Sequence, residues 1–236
     1  MKILSVDTST PTCTVGIVSG DKMLAESVDS SGQTHARHLM GMIDNTLTAS
    51  GMAIQEVDGF AVVTGPGTFT GLRIGIGTVK GLAFALSRPV VGVTSLGALA
   101  AQADLPTKFV CPVMDARRNE VYYGLYASQK GKLSRVGAHC VGPPADLAKN
   151  IHGSCQFLGQ GARLYRETFD TLLGPLCQFS ESGADTIRAK TIARLAMDRF
   201  QKNETQSLQS VAPYYIRRSD AELCFGNRSP CPSSKT

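Results

Sequence analysis

No stretch of the 236 residues reaches the uninterrupted apolar length that a bilayer-spanning helix needs, which argues against membrane insertion. The chain passes from Lys2 directly into an apolar segment at 3–6, leaving no room for a secretory signal, so a cytoplasmic protein is expected. The seven cysteines are scattered, odd in number and free of any C-x-x-C pair, so they read as reduced, structural thiols rather than a disulfide or zinc framework. Lys80 precedes Gly81 at the wrong spacing for G-x-x-x-x-G-K-[ST], which excludes a Walker-type phosphate loop. Histidine is scarce as well, at four residues. His35 and His38 stand three apart, a spacing a metal site can use, but without an H-E-x-x-H pattern they read as surface or interface residues. His139 and His152 lie in unpatterned surroundings, and no nucleophile elbow accompanies them. The expectation is a chain with neither a catalytic set nor a metal site.

What remains is an ordinary globular composition: 42% hydrophobic, 18% charged and 24 glycines, with a net charge of +5 that is spread along the chain. Arg117-Arg118 and Arg217-Arg218 are small basic pairs, a weak sign of RNA contact at most. Segments 3–6, 13–18 and 23–28 read as strands, the first ending in the turn residues Asp7-Thr8-Ser9-Thr10-Pro11. Thr34 or Ser31 can cap a helix with Leu39, Met42, Ile43 and Leu47 at helical spacing, which Gly51 stops. A strand at 60–64 runs into a glycine-rich loop and a helix to about 86; a strand at 90–93 and a short alanine-rich helix capped by Ser95 follow.

A chain break at 104–107 is followed by a repeat of the beginning. Segment 109–114 reads as a strand, Asp115-Ala116-Arg117-Arg118-Asn119 as a polar turn and 121–126 as a returning strand. Phe157-Leu158-Gly159-Gln160-Gly161 is another strand entering a glycine turn, and a helix from Asp185 turns Ile187, Ile192, Leu195, Ala196 and Phe200 inward. The expected division is a lobe at 1–105, a related lobe at 106–216 and a polar, disordered tail at 217–236.

Duplication would set Asp7 and Asp115 at equivalent strand ends, facing each other across a cleft, where with Thr8, Ser9 and Thr10 they could hold hydrated magnesium and phosphates. The alternative is that each carboxylate only accepts hydrogen bonds from its own turn. Gly67, Gly71 and Gly75 recur four apart, as do Gly77 and Gly81; each helical glycine costs about 1 kcal/mol against alanine. Such repetition indicates close packing, internal or between subunits, with Leu72, Ile76 and Val79 supplying apolar contact.

The strings Ile3-Leu4-Ser5-Val6-Asp7-Thr8-Ser9, Gly65-Pro66-Gly67-Thr68-Phe69-Thr70-Gly71-Leu72-Arg73-Ile74-Gly75, Met114-Asp115-Ala116-Arg117-Arg118-Asn119-Glu120-Val121-Tyr122 and Pro213-Tyr214-Tyr215-Ile216-Arg217 together resemble the TsaB (YeaZ) family, over nearly the whole chain to Glu222. The resemblance implies an α/β fold of two tandem ribonuclease H-like lobes of the actin/Hsp70 superfamily. It also implies a non-catalytic scaffold in threonylcarbamoylation of adenosine 37 of tRNAs reading ANN codons. In that family the chain pairs with the catalytic paralogue TsaD, TsaE joins them, TsaC makes the donor, and the free protein forms a homodimer. ATP and a metal are then expected in the partner subunits, with no cofactor here and tRNA contact indirect or weak. TsaD carries two metal-binding histidines four residues apart after its equivalent of strand 90–93; here Ser95 and Leu99 stand in those positions.

On this reading the two first-lobe helices form the partner surface, with His35, Leu39, Met42, Ile43, Leu72, Ile76, Val79 and Lys80 as its contacts, and Asp7, Thr8, Ser9 and Asp115 mark a vestigial nucleotide cleft. The competing readings are an ATP- and magnesium-dependent enzyme of the actin or sugar-kinase class, and a metallopeptidase.

Overall fold

A computed structural model describes residues 1–32, 34–104, 106–129, 132–179 and 185–217. Leu105, Arg218, Glu222, Cys224, Cys231 and the expected tail beyond Arg217 lie outside them.

The first half opens with the antiparallel strands β1 (Lys2–Asp7), β2 (Cys13–Ser19) and β3 (Lys22–Asp29), followed by α1 (His35–Ser50). Then come β4 (Gly59–Gly65), α2 (Phe69–Leu86), β5 (Val90–Thr94) and α3 (Ser95–Ala100). Its sheet has the order β3-β2-β1-β4-β5, with β4 parallel to both β1 and β5. The second half repeats this plan with β6 (Phe109–Asp115), β7 (Val121–Gln129), β8 (Lys132–Gly142), β9 (Cys155–Leu158) and β10 (Cys177–Phe179), in the order β10-β9-β6-β7-β8. Read from its other edge, that is the same arrangement, with β6 antiparallel to β7 and parallel to β9. The short helices α4 (Pro144–Ala148), α5 (Gln160–Leu164) and α6 (Arg166–Leu173) cover the second sheet, and α7 (Ala189–Gln201) returns to the first.

The sequence explains both faces of the first sheet. Leu4 and Val6 alternate with Ile3, so β1 feeds two cores. One joins Leu4, Val6, Phe60 and Val62 to Leu39, Ile43, Leu72, Ile76 and Val79 of α1 and α2. The other joins Ile3, Ala61, Val63 and Val91 to Leu96 and Leu99 of α3, Met114 and Tyr122 of the second half, and Ile192, Ala196 and Phe200 of α7. Gly16 gives α7 its seat, since a β-carbon there would lie 2.4 Å from that of Ala189. The segment after α7 also returns to the first half: Gln206 accepts from Gly92 N–H at 2.7 Å, and Tyr214 N–H donates to Thr64 O at 2.8 Å.

Several sequence expectations need correction. Thr34 is the N-cap of α1 but its side chain makes no capping bond, while Ser31 turns to Asp29 instead. Gly51 ends α1 as expected, in the left-handed conformation at φ 68°. The cap of α3 is Thr94, whose hydroxyl accepts from Gly97 N–H; Ser95 is the first helical residue. The last helix starts at Ala189 rather than Asp185. β8, α4, α6 and β10 were not anticipated; β8 is mostly exposed and interrupted by Gly137, so it carries no alternation to read. Helix α2, with 18 residues at mean hydropathy 1.2, is long and apolar enough to cross a membrane, contrary to the expectation that no segment reaches that mark. Its inner face, with Leu72, Ile76, Val79 and Ala83, is buried in the core against its own sheet.

Candidate functional site

Between the halves lies a cleft of about 540 Å³, walled by Thr10, Pro11, Thr34 and His35, by the α2 entry (Gly67, Thr68, Phe69, Thr70, Gly71, Ile74), and by Asp115, Arg117, Arg118, Tyr122 and Arg217. Its two strand-end aspartates behave alike locally. Asp7 Oδ1 accepts from Ser9 N–H and Asp115 Oδ1 from Arg117 N–H, each at 2.8 Å. These are turn-stabilising bonds two residues ahead, which is the plainer of the two readings open from sequence.

Their surroundings differ. Asp115 is half-buried and lines the cleft. Asp7 is 1% exposed, is absent from the cleft wall, and has a pKa pushed up to about 6 by burial, partly offset by the Ser9 hydrogen bonds. The two residues that follow it are packed under a glycine ladder. A β-carbon on Gly67 would meet Ser9 O at 2.3 Å, one on Gly71 would meet Thr8 O at 2.1 Å, and one on Gly75 would meet Thr8 Oγ1 at 2.2 Å. Thr68 N–H donates to Ser9 O and Thr8 Oγ1 donates to Gly71 O, so the first turn is bound to α2. Asp7, Thr8 and Ser9 therefore do not face Asp115 across open space. Steric closure by the α2 entry is the physical reason for that correction.

The second half repeats the device on a smaller scale. Gly159 and Gly161 follow β9, and a β-carbon at Gly161 would lie 2.8 Å from the carbonyl carbon of Met114. Its β6–β7 turn, by contrast, presents arginines: Arg117, Arg118 and Asn119 all have positive φ, at 59°, 55° and 59°. Arg217 joins them, donating to Ala116 O at 2.8 Å and pairing with Glu120. Arg73 Nε donates to Tyr215 Oη at 3.0 Å, while Phe69 and Tyr215 stack at 4.0 Å between ring centroids. The basic pair at Arg117-Arg118 was visible in the sequence; its meeting with Arg217 depends on the return of the C-terminal segment and was not.

The partner-surface assignments also change. Leu39, Met42, Ile43, Leu72, Ile76 and Val79 are all buried in the core between helices and sheet. His35 is buried too, and Lys80 is half-buried with Nζ donating to Val211 O at 3.3 Å. An apolar helical stripe covers the nearest sheet first, so these residues are unavailable on the outside. The outer surface of the same helices shows Met40 at 54% exposure and Phe84 at 77%, beside Gly41, Gly77 and Gly81, where added β-carbons would meet nothing. Ser95 Oγ donates to Pro66 O at 2.5 Å and Leu99 packs in the core. Elsewhere Cys13, His35 and His38 come together, with ligand atoms within 4.8 Å of one another. The Cys13 thiol is pushed up to about 12, mainly by burial and then by the carboxylates of Asp7 and Asp29.

A family model described as TsaD, tRNA N6-adenosine threonylcarbamoyltransferase, matches residues 22–225. The tRNA threonylcarbamoyladenosine biosynthesis protein TsaB of Bacillus subtilis is 30% identical over 225 residues, spanning 94% of this chain and 96% of that protein. The Haemophilus influenzae TsaB is 37% identical over 133 residues, spanning 55% of this chain and 56% of its own. Among solved structures, YeaZ from Pseudomonas aeruginosa superposes with a TM-score of 0.77 at 32% identity, covering 91% of this chain and 99% of that one. The ethanolamine utilization protein EutJ from Carboxydothermus hydrogenoformans reaches 0.52 at 13% identity over 82% of this chain and 89% of its own, a likeness of fold alone. The architecture is a duplicated α/β fold, two five-stranded mixed sheets of the same strand order, and it is the fold of YeaZ.

Proposed function

Because the chain belongs to the TsaB family and so to tRNA threonylcarbamoyladenosine biosynthesis, we propose that it is a non-catalytic scaffold subunit, docking TsaD through the outer face of α1 and α2. TsaE joins that pair, TsaC supplies the donor, and the product is threonylcarbamoylated adenosine 37 in tRNAs reading ANN codons. Without TsaD the same face supports a homodimer. ATP and the catalytic metal belong to the partner subunits, tRNA contact by this chain is indirect, and the complex works in the cytoplasm.

One observation carries the reading: Gly67, Gly71 and Gly75 pack on Thr8 and Ser9, beside the buried Asp7, while the opposite side of the same helix is left smooth and open at Gly77, Gly81 and Phe84. The packed side serves the chain's own fold. The open side, with small residues flanking an exposed aromatic, suits helix-on-helix association. Co-purification with TsaD tests it: Phe84→Asp abolishes capture while the chain stays folded, and undiminished capture by both Phe84→Asp and Met40→Asp refutes the assignment.

A second reading has its own support. Asp115, Arg117, Arg118 and Arg217 meet in the cleft, a composition suited to the phosphates of ATP with magnesium. Against this reading, its first-lobe carboxylate is enclosed. Calorimetry with ATP and magnesium on the isolated chain separates the two; micromolar binding with turnover favours the enzyme.

A further inference from the structure

Cys13 opens β2, His35 opens α1, and His38 follows one turn later on the same helix. The fold brings their ligand atoms within 4.8 Å of one another, with Cys13 and His35 buried and His38 half-buried. An oxygen lies beside one nitrogen of each imidazole. His35 Nε2 lies 2.8 Å from Thr10 O, an acceptor, so Nε2 carries the proton and Nδ1 is left as a lone pair. That Nδ1 is buried and has no hydrogen-bond partner among the described residues. His38 Nε2 sits 3.2 Å from Asp29 Oδ2 as an ion-pair contact, and both of its ring nitrogens are buried without a hydrogen-bond partner among the described residues. Buried ring nitrogens are ordinarily satisfied. His35, with an oxygen bonded at one nitrogen and the other left bare, is held as metal-ligating histidines are.

We propose that Cys13, His35 and His38 form a site for a zinc-type divalent cation that fastens the first turn of α1 to the start of β2. One thiolate and two imidazoles match the ligand preference of Zn²⁺, with water in the fourth position. Tetrahedral bond lengths put zinc ligands about 3.3–3.7 Å apart, so small side-chain rotations close the set from its present spacing. On binding, the Cys13 S–H bond is replaced by a sulfur–metal bond and the proton leaves to solvent. This is a different place from Ser95 and Leu99, and its role is to anchor a helix rather than to catalyse. Nothing in it depends on the docking assignment.

The test uses the full chain, purified without a tag and stripped with chelator, titrated with Co²⁺ and then Zn²⁺. The expected result is one Co²⁺ per chain, with a thiolate-to-cobalt charge-transfer band and tetrahedral visible bands that Zn²⁺ displaces, and a rise in Tm with Zn²⁺. Cys13→Ser loses the charge-transfer band, His38→Gln weakens binding at least about tenfold, and Cys177→Ser, at a half-buried thiol elsewhere, changes neither. Because Cys13 is in the core, circular dichroism checks that variant's folding, and His38→Gln decides alone if it fails. Absence of saturable binding, or unweakened binding in His38→Gln, overturns the proposal.

Discussion

The carbonyl oxygen of Thr8 occupies the space that a side chain at Gly71 would need: a β-carbon there would lie 2.1 Å away. Six residues further along the same helix, Gly77 faces nothing within 4 Å. The two glycines look alike in sequence and are opposite in consequence. Gly71→Ala should destabilise the fold by about 1–3 kcal/mol through overpacking, more than the roughly 1 kcal/mol that alanine returns in helix propensity. Gly77→Ala and Gly81→Ala should be neutral or stabilising by up to about 1 kcal/mol. Urea unfolding of the three variants measures the difference.

Ile76 and Phe84 make the same separation between inside and outside. Ile76 is 4% exposed and Phe84 is 77% exposed. Ile76→Glu buries a carboxylate without a partner and is expected to unfold the chain or lower its stability by several kcal/mol. Phe84→Asp should leave the melting temperature within a few degrees of the parent, since exposed substitutions usually change stability by less than about 0.5 kcal/mol. Thermal melts followed by circular dichroism give both answers, and they make Phe84→Asp the informative probe of docking.

Both glycines and both apolar residues show where legibility ended. The strand-to-aspartate turns at Asp7 and Asp115, the Gly51 stop and the repeat of the two halves were readable because each is local: an apolar run, a turn residue, a left-handed cap. Leu39, Ile43, Leu72 and Ile76 were read as helical stripes correctly, but a stripe does not say what covers it, and the cover is the chain's own sheet. Residues left off the stripe, such as Phe84, mark the outer face. The Cys13–His35–His38 group and the meeting of Arg117 with Arg217 depend on connections between distant segments, which no local pattern encodes.

Asp7 gives a pH-dependent signature. Its folded pKa of about 6 lies above the ordinary 3.8, so the native state binds the proton more tightly than the unfolded chain. The group's cost is therefore absent below about pH 4, grows as pH rises through 6 and is complete above it, at a ceiling of about 3 kcal/mol. Asp7→Asn keeps an acceptor for Ser9 N–H without the charge. Its melting temperature should exceed that of the parent at about pH 8 and converge with it near pH 4. Other carboxylates contribute opposite slopes to both proteins, so the quantity to follow is the difference between the two.

The central claim is that this chain acts through its α1–α2 face as a required non-catalytic subunit. Threonylcarbamoyl incorporation into tRNA, with threonine, bicarbonate, ATP, TsaC, TsaD and TsaE, tests it most directly when this chain is present, omitted or replaced by Phe84→Asp. Full modification with the parent chain and background levels in the other two reactions is the predicted result. Equal modification without the chain would contradict the claim.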